Sequence, residues 1–378
     1  MNNSGNTQTE YVGYEIDIES VLDEVLEKEG AGRPFFVVGK AFEYLKIEER
    51  IREKYPHAVF FKDFLPNPTY ESVMSGRELF QKNACDIVIA AGGGSAIDVA
   101  KCIKAYAFME GEECCLNQPL TDNQVKILAV PTTAGTGSEA THFAVIYYQG
   151  KKESVSHRSL LPEYVVLSGK LLESLPAYQR KATALDALCH SIESLWSVSS
   201  TEESKGYATE AVELFMKCLA PYLRNEEDGN QEMMRAANYA GKAINITKTT
   251  AAHAMSYKMN ALFGISHGHS AALCLPKVWN YMIHHMDQCV DDRGSVYLNT
   301  LFLYISKLLG CADPAESISY LERLIKDQME LQITNTVTDE ELSELVHSVN
   351  VERLANNPVA LDETALLEIY RDILSGGI

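Results

Sequence analysis

Residues 86–101 read Asp86-Ile87-Val88-Ile89-Ala90-Ala91-Gly92-Gly93-Gly94-Ser95-Ala96-Ile97-Asp98-Val99-Ala100-Lys101. An apolar run of strand length stops at three glycines, and a stretch with helical composition begins at once. Consecutive glycines let the backbone turn tightly and come close to a ligand, and the free N–H groups of a helix start attract an anion such as a pyrophosphate. The plainer reading is a strand-to-helix turn without a ligand, because the spacing is not GxGxxG.

The same grammar extends outward from this stretch. Residues 34–38, 57–61 and 126–130 read as further buried strands, and residues 21–29, 42–54 and 70–82 carry apolar positions at helical spacing. Short strands alternating with amphipathic helices produce a parallel sheet covered on both faces, here a Rossmann-like, doubly wound α/β domain. Residues 145–148 and 164–167 are expected to add a hairpin-like pair. After Pro176 the pattern changes to alanine-rich, charge-studded segments at 178–197, 202–223, 232–253 and 298–309, with no convincing strand. The expectation is an α/β domain over residues 1–175 and an all-α helical bundle over 176–378, with floppy ends at 1–10 and after Ser375.

Composition limits the partners. The 378 residues carry 33 Lys+Arg against 52 Asp+Glu, a formal charge of -19. That balance disfavours nucleic acid and anionic membrane surfaces. No apolar run reaches the roughly 18 residues that a membrane span requires, and the polar start Met1-Asn2-Asn3-Ser4-Gly5 does not read as a signal peptide. A cytoplasmic location follows as the expectation. The nine cysteines form no CxxC pair, so reduced thiols, mostly small buried apolar residues, are expected.

A second loop, Pro131-Thr132-Thr133-Ala134-Gly135-Thr136-Gly137-Ser138-Glu139, closes the strand at 126–130. Hydroxyls and glycines at this density suit ribose, phosphate or carboxamide oxygens, and ligands of open α/β sheets bind at the carboxyl ends of the strands. Together the two loops point to a nucleotide. In the helical half, Asp186 and His190 stand four apart and project from one helix face. Alone, the pair reads either as a surface carboxylate–imidazole contact or as two ligands of one metal. His253 on a predicted helix and His267 after a turn at Gly264 favour the metal. One carboxylate with three imidazoles suits Fe(II) or Zn(II). Adjacent His284 and His285 diverge by about 100° on a helix and are ordinary histidines.

Four motifs in this order, GGGSAIDVAK (92–101), PTTAGTGSE (131–139), DALCHSIES (186–194) and the spaced His253 and His267, resemble the iron-containing (group III) alcohol dehydrogenases over nearly the whole chain. The resemblance implies a dehydroquinate synthase-like fold with the active site in the cleft between the domains. It implies Asp186, His190, His253 and His267 as metal ligands of Fe(II), with Zn possible. It also implies dinucleotide binding at Gly92, Gly93, Gly94, Ser95 and Asp98 and at Thr132, Thr133 and Thr136, joined by Asn67 and Lys152. The activity implied is NAD(P)H-dependent reduction of a small aldehyde to a primary alcohol.

Residues 249–258 and 267–276 look like the phosphonoacetaldehyde reductase branch, which implies reduction of phosphonoacetaldehyde to 2-hydroxyethylphosphonate. Lys248, Lys258, His157 and Arg158 are the candidates for holding the dianion, each with a solvated-surface alternative. Many family members carry a histidine four residues after the one matched by His253, where this chain has Tyr257. Its phenol can replace that histidine or shape the pocket, or the cofactor ribose and water can suffice. NAD-preferring relatives carry an Asp where this chain reads Val37-Val38-Gly39-Lys40. Gly39 removes the repulsion of a 2′-phosphate, so NADPH is expected to be accepted, with NADH also possible. The expected partners are a small aldehyde or alcohol and a second copy of the chain, as a dimer. Two other functions compete. A metal- and NAD-dependent lyase or cyclase of the dehydroquinate synthase-like type is expected to use a Glu with two histidines. A nucleotide binder without catalysis does not need the four-ligand set.

Overall fold

The computed structural model describes residues 8–111, 113–333 and 337–375. In the first half the strands are β1 (Thr9–Val12), β2 (Pro34–Val38), β3 (Val59–Phe61), β4 (Ile87–Gly92), β5 (Lys126–Pro131), β6 (Phe143–Tyr148), β7 (Lys151–Ser156) and β8 (Tyr164–Leu167). Between them run α1 (Ile18–Glu29), α2 (Phe42–Leu45), α3 (Glu48–Lys54), α4 (Tyr70–Lys82) and α5 (Gly94–Tyr106). Six strands form one parallel sheet in the order β1-β8-β5-β4-β2-β3.

Side chains alternate across a strand, and here both faces are dry. Phe35, Val37, Val88, Ala90 and Ile127 pack with Val73 and Phe80 of α4 and Ile97 of α5 on one face. Phe36, Val38, Ile87, Ile89, Leu128 and Val130 pack with Leu22, Val25 and Leu26 of α1 on the other. That is why these strands read as continuous apolar runs. Helix ends are marked by side chains: Asp17 accepts from the Glu19 N–H at the start of α1, and Thr69 accepts from the Ser72 N–H at the start of α4.

Three expectations for this half need correction. Residues 164–167 do not pair with 145–148; all four are buried, and β8 lies in the main sheet between β1 and β5. The hairpin is instead β6 with β7, joined through Gln149 and Gly150 at φ 50° and 76°, the paired positive values that a two-residue hairpin turn requires. Strand β7 reads Lys-Lys-Glu-Ser-Val-Ser and buries only Val155, so it had no apolar pattern to show. The floppy start expected at 1–10 is in part strand β1, parallel to β8; residues 1–7 and 376–378 lie outside the described residues. The single helix expected over 42–54 is broken where Lys46 takes a left-handed conformation at φ 52° and Ile47 turns into the core.

The second half is helical: α6 (Ala177–Trp196), α7 (Glu202–Leu223), α8 (Glu227–Thr247), α9 (Ala251–Phe263), α10 (His267–His284), α11 (Gly294–Leu308), α12 (Pro314–Arg323), α13 (Asp339–His347), α14 (Val351–Leu354) and α15 (Glu363–Ser375). Among the described residues, no helix is long and apolar enough to cross a membrane. The chain divides into two compact units, and residues 224–234 group with the sheet rather than with the helices. Gln231 explains that departure from a simple two-part division: its Oε1 accepts from the Gly169 N–H and its Nε2 donates to the Leu167 carbonyl.

The helix expected over 232–253 is two helices, with Lys248 between them at φ 59°. Buried Asn356 holds this joint open, because its Nδ2 donates to the carbonyls of Thr247 and Thr249 at 2.8 and 3.0 Å while its Oδ1 accepts from Ser197 Oγ. Orphaning buried carbonyls costs about 1–3 kcal/mol. Asn356→Ala is therefore expected to lower global stability by about that amount, read as a lower urea midpoint, with faster amide exchange at residues 247–250.

Candidate metal centre and dinucleotide crevice

Asp186, His190 and Glu193 share one face of α6, since positions i, i+4 and i+7 lie along one stripe of a helix. Helix α10 crosses that stripe very closely. A Cβ built on Gly268 would lie 2.2 Å from the Ala182 carbonyl oxygen and 2.7 Å from the Asp186 Cβ. Only a glycine next to His267 lets the two helices approach so far. His253, in the first turn of α9, completes the group. One ligand atom from each of Asp186, His190, His253 and His267 lies within 4.8 Å of every other.

The rings are ordered against each other. His190 and His253 stack at 4.3 Å between centroids, and Tyr257 stacks on His267 at 5.6 Å. Asp186 is 2% exposed and His253 1%. Asp186 Oδ1 and His253 Nε2 lie 3.4 Å apart, yet neither makes a hydrogen bond among the described residues. Burial alone would push the Asp186 carboxyl up, but the charges of His190, His267 and His253 hold it well below the usual carboxylate range. Burial would likewise lower His253, whereas the Glu193 and Asp186 carboxylates push it up to about 10. A site that attracts a proton this strongly attracts a divalent cation, which competes for the same lone pair. Three imidazole nitrogens and one carboxylate oxygen are the donor set that Fe(II) or Zn(II) takes, so the residues fit such an ion.

Glu193 was quoted in the sequence motif without a role, and the structure gives it one. It is fully buried. Its Oε1 accepts from the Thr250 N–H and Oγ1 at 3.0 and 2.7 Å and from the His253 N–H at 3.3 Å, while Oε2 contacts His253 Nδ1. A proton kept on Nδ1 by this carboxylate leaves the Nε2 lone pair facing the cluster. The available signal was its spacing, one further turn along the Asp186–His190 face.

In the sheet unit Gly39, Gly92, Gly93, Gly94, Ser95, Thr132, Thr133 and Thr136 lie at or just after the carboxyl ends of β2, β4 and β5. Gly39 follows β2 and donates its N–H to Ala91, and the Thr132 N–H donates to Gly92. A Cβ on Gly94 would lie 2.8 Å from Thr136 Oγ1, and one on Gly93 would lie 3.3 Å from Thr133. The glycine turn and the threonine loop are therefore in face-to-face contact. Thr132 Oγ1 is buried without a hydrogen-bond partner among the described residues. Asn67 lies in the β3–α4 loop at φ 60°, and Lys152 pairs with Tyr147 across the β6–β7 hairpin. Asp98 is placed beneath the loop: its oxygens accept from Ser138 Oγ at 2.5 Å and from the Val145 N–H at 3.0 Å.

Of the four candidates for an anionic substrate, two belong to each unit. Lys258 follows Tyr257 on α9 but pairs with Glu344 of α13 at 2.5 Å, and Lys248 lies in the α8–α9 joint. His157 and Arg158 belong to the sheet unit, where His157 Nδ1 accepts from the Ser159 N–H and lies 2.7 Å from its hydroxyl. His284 and His285 bond and stack within their own helix turn, on Asn280 and Tyr281. Six of the nine cysteines are buried and all are free thiols.

A parallel sheet with a dinucleotide-type crevice, joined in one chain to a buried Asp-His cluster on helices, defines a metal-dependent, NAD(P)-linked oxidoreductase. The model of the iron-containing alcohol dehydrogenases matches residues 14–168, and that of the Fe-containing alcohol dehydrogenase family, C-terminal, matches residues 181–374. The chain belongs to the iron-containing alcohol dehydrogenase family, whose members bind iron and NAD(H) and act on alcohols and aldehydes. It is 30% identical over 315 residues to phosphonoacetaldehyde reductase of Streptomyces viridochromogenes, covering 79% of this chain and 78% of that one. It is 28% identical over 332 residues to long-chain-alcohol dehydrogenase 1 of Geobacillus thermodenitrificans, covering 84% and 82%. The crystal structure of sulfoacetaldehyde reductase from Bifidobacterium kashiwanohense in complex with NAD+ shares the fold, with a TM-score of 0.85 over 97% of each chain at 24% identity.

Removing the buried partner of a ligating histidine typically weakens metal binding about 10–100-fold. Glu193→Gln is expected to weaken Zn(II) or Fe(II) binding on that scale, measured by competition with a chelator, with the far-UV circular dichroism unchanged.

Proposed function

We propose that this protein reduces a small aldehyde to a primary alcohol at the expense of NADPH or NADH, and that phosphonoacetaldehyde, giving 2-hydroxyethylphosphonate, is its substrate. The observation that carries the reaction class is the convergence of Asp186, His190, His253 and His267 at one buried point. The likeness to phosphonoacetaldehyde reductase at 30% identity supports the substrate.

In this reading the four residues hold one ion, Fe(II) first and Zn(II) as a substitute. Such an ion supplies Lewis-acid polarisation of a carbonyl oxygen, worth several kcal/mol of transition-state charge stabilisation. Glu193 fixes the ring of His253, and Tyr257 stacks on His267 as a wall of the site. His267, about one third exposed where the other three ligands are buried, marks the side from which the ion and substrate enter. Gly92, Gly93, Gly94, Ser95, Thr132, Thr133 and Thr136 bind the dinucleotide through main-chain N–H groups and hydroxyls, with Asn67 and Lys152 beside them. Gly39 presents no carboxylate to the adenosine ribose, and exposed Lys40 follows it, so a 2′-phosphate is not repelled.

The test is dinucleotide oxidation with phosphonoacetaldehyde, propanal and glycolaldehyde side by side. A phosphonate-directed site is expected to favour the first by about tenfold or more in kcat/KM, the scale of one charge-assisted contact. Equal values for all three would remove the phosphonate assignment and leave the enzyme class standing. His267→Ala is expected to lose bound metal and turnover together while remaining folded; full turnover in a metal-free variant would overturn the reaction reading.

A further inference from the structure

Lys101 on α5 is completely buried, a state in which lysine is almost never found unless it is paired. Five oxygens surround its ammonium. They are the carbonyls of Ser138, Thr141 and Phe143 at 2.5, 2.7 and 2.8 Å and the hydroxyls of Ser138 and Thr141 at 3.2 and 3.0 Å. All five come from residues 138–143, where the chain leaves the threonine loop and enters β6. Three residues earlier on the same helix, Asp98 supplies the opposite charge and grips the same segment through Ser138 Oγ and the Val145 N–H. The Ser138 N–H in turn donates to Thr136 Oγ1 at 3.3 Å, and the Thr136 side chain lies against Gly94.

Desolvating a lysine ammonium is costly, and here the cost is offset by carbonyls of a segment whose residues 138–141 are themselves buried and out of reach of water. A buried ammonium and a part-buried carboxylate committed to one short segment therefore fix that segment's position. The segment it fixes is continuous with one wall of the crevice.

We propose that Lys101 is a positioning residue of the dinucleotide site. Its ammonium holds the main chain of 138–143 and, through Ser138 and Thr136, keeps the threonine loop at the distance from Gly92–Gly94 that the dinucleotide needs. This rests on reading the crevice as the dinucleotide site. Lys101 itself does not touch the ligand, and Asp98 serves as its counter-charge.

The experiment measures NADPH affinity by fluorescence on the full-length, metal-loaded protein. Lys101→Met is expected to raise the NADPH Kd by about tenfold or more, since two buried carbonyls and one part-buried carbonyl lose their donor, while metal affinity and the aldehyde KM at saturating NADPH stay within about twofold. Lys101→Ala leaves a channel of the missing side chain's length. Added n-propylammonium is expected to restore NADPH binding there, and n-propanol, equal in size and uncharged, is not. If loss of the cation alone prevents folding, Asp98→Asn with Lys101→Met removes the ammonium together with its partner on the same helix, and the same weakening is expected in that double variant. NADPH affinity equal to wild type in any of these folded variants, or equal rescue by the alcohol, would overturn the proposal. Failure of the wild-type protein to bind NADPH would instead remove the dinucleotide reading beneath it.

Discussion

A carboxylate and three imidazoles crowded into one buried point is an arrangement that only a shared positive charge makes stable. Asp186 is almost fully removed from water, and an isolated buried anion is strongly disfavoured. The helical unit resolves this with proximity. Glycine at 268 brings α10 against α6, the break before α9 places His253 in a first helical turn, and Glu193 completes the electrostatic set from below. These contacts belong to the helical unit, so the centre is a property of its packing.

The sheet unit works by other means. Its crevice presents main-chain N–H groups and hydroxyls at the carboxyl ends of adjacent strands, and the fully buried Lys101 is used up on protein oxygens. Charge in that unit serves to set loop geometry. An anion bound there would meet the backbone, as in other strand–glycine–helix turns.

Much of this was legible in the sequence, for identifiable reasons. Strands β2, β4 and β5 are buried on both faces, so their residues are apolar without interruption, and the glycines after β4 mark the turn. Strand β7 was invisible because five of its six residues are polar, and β1 because an edge strand at the start of the chain has few neighbours to demand apolar residues. The break between α8 and α9 depends on Asn356, more than a hundred positions away, and no local pattern encodes a clamp of that kind. That Asp186, His190, His253 and His267 come together was legible from residue type and motif. Glu193 offered only its spacing and Lys101 no sign at all, because their partners, Thr250 and His253 for one and the 138–143 carbonyls for the other, become neighbours only on folding.

The hydrogen bonds around Glu193 extend one step further. Thr250 Oγ1, which donates to Glu193, accepts from the indole N–H of Trp196 at 2.9 Å. The chain has only two tryptophans, and the other, Trp279, stands 5.7 Å from Trp196 in an edge-on arrangement. Both intrinsic fluorophores therefore share a single environment, which is joined through two hydrogen bonds to the carboxylate behind His253. An optical change in these two indoles on loading the centre would travel by that short path, without any added label.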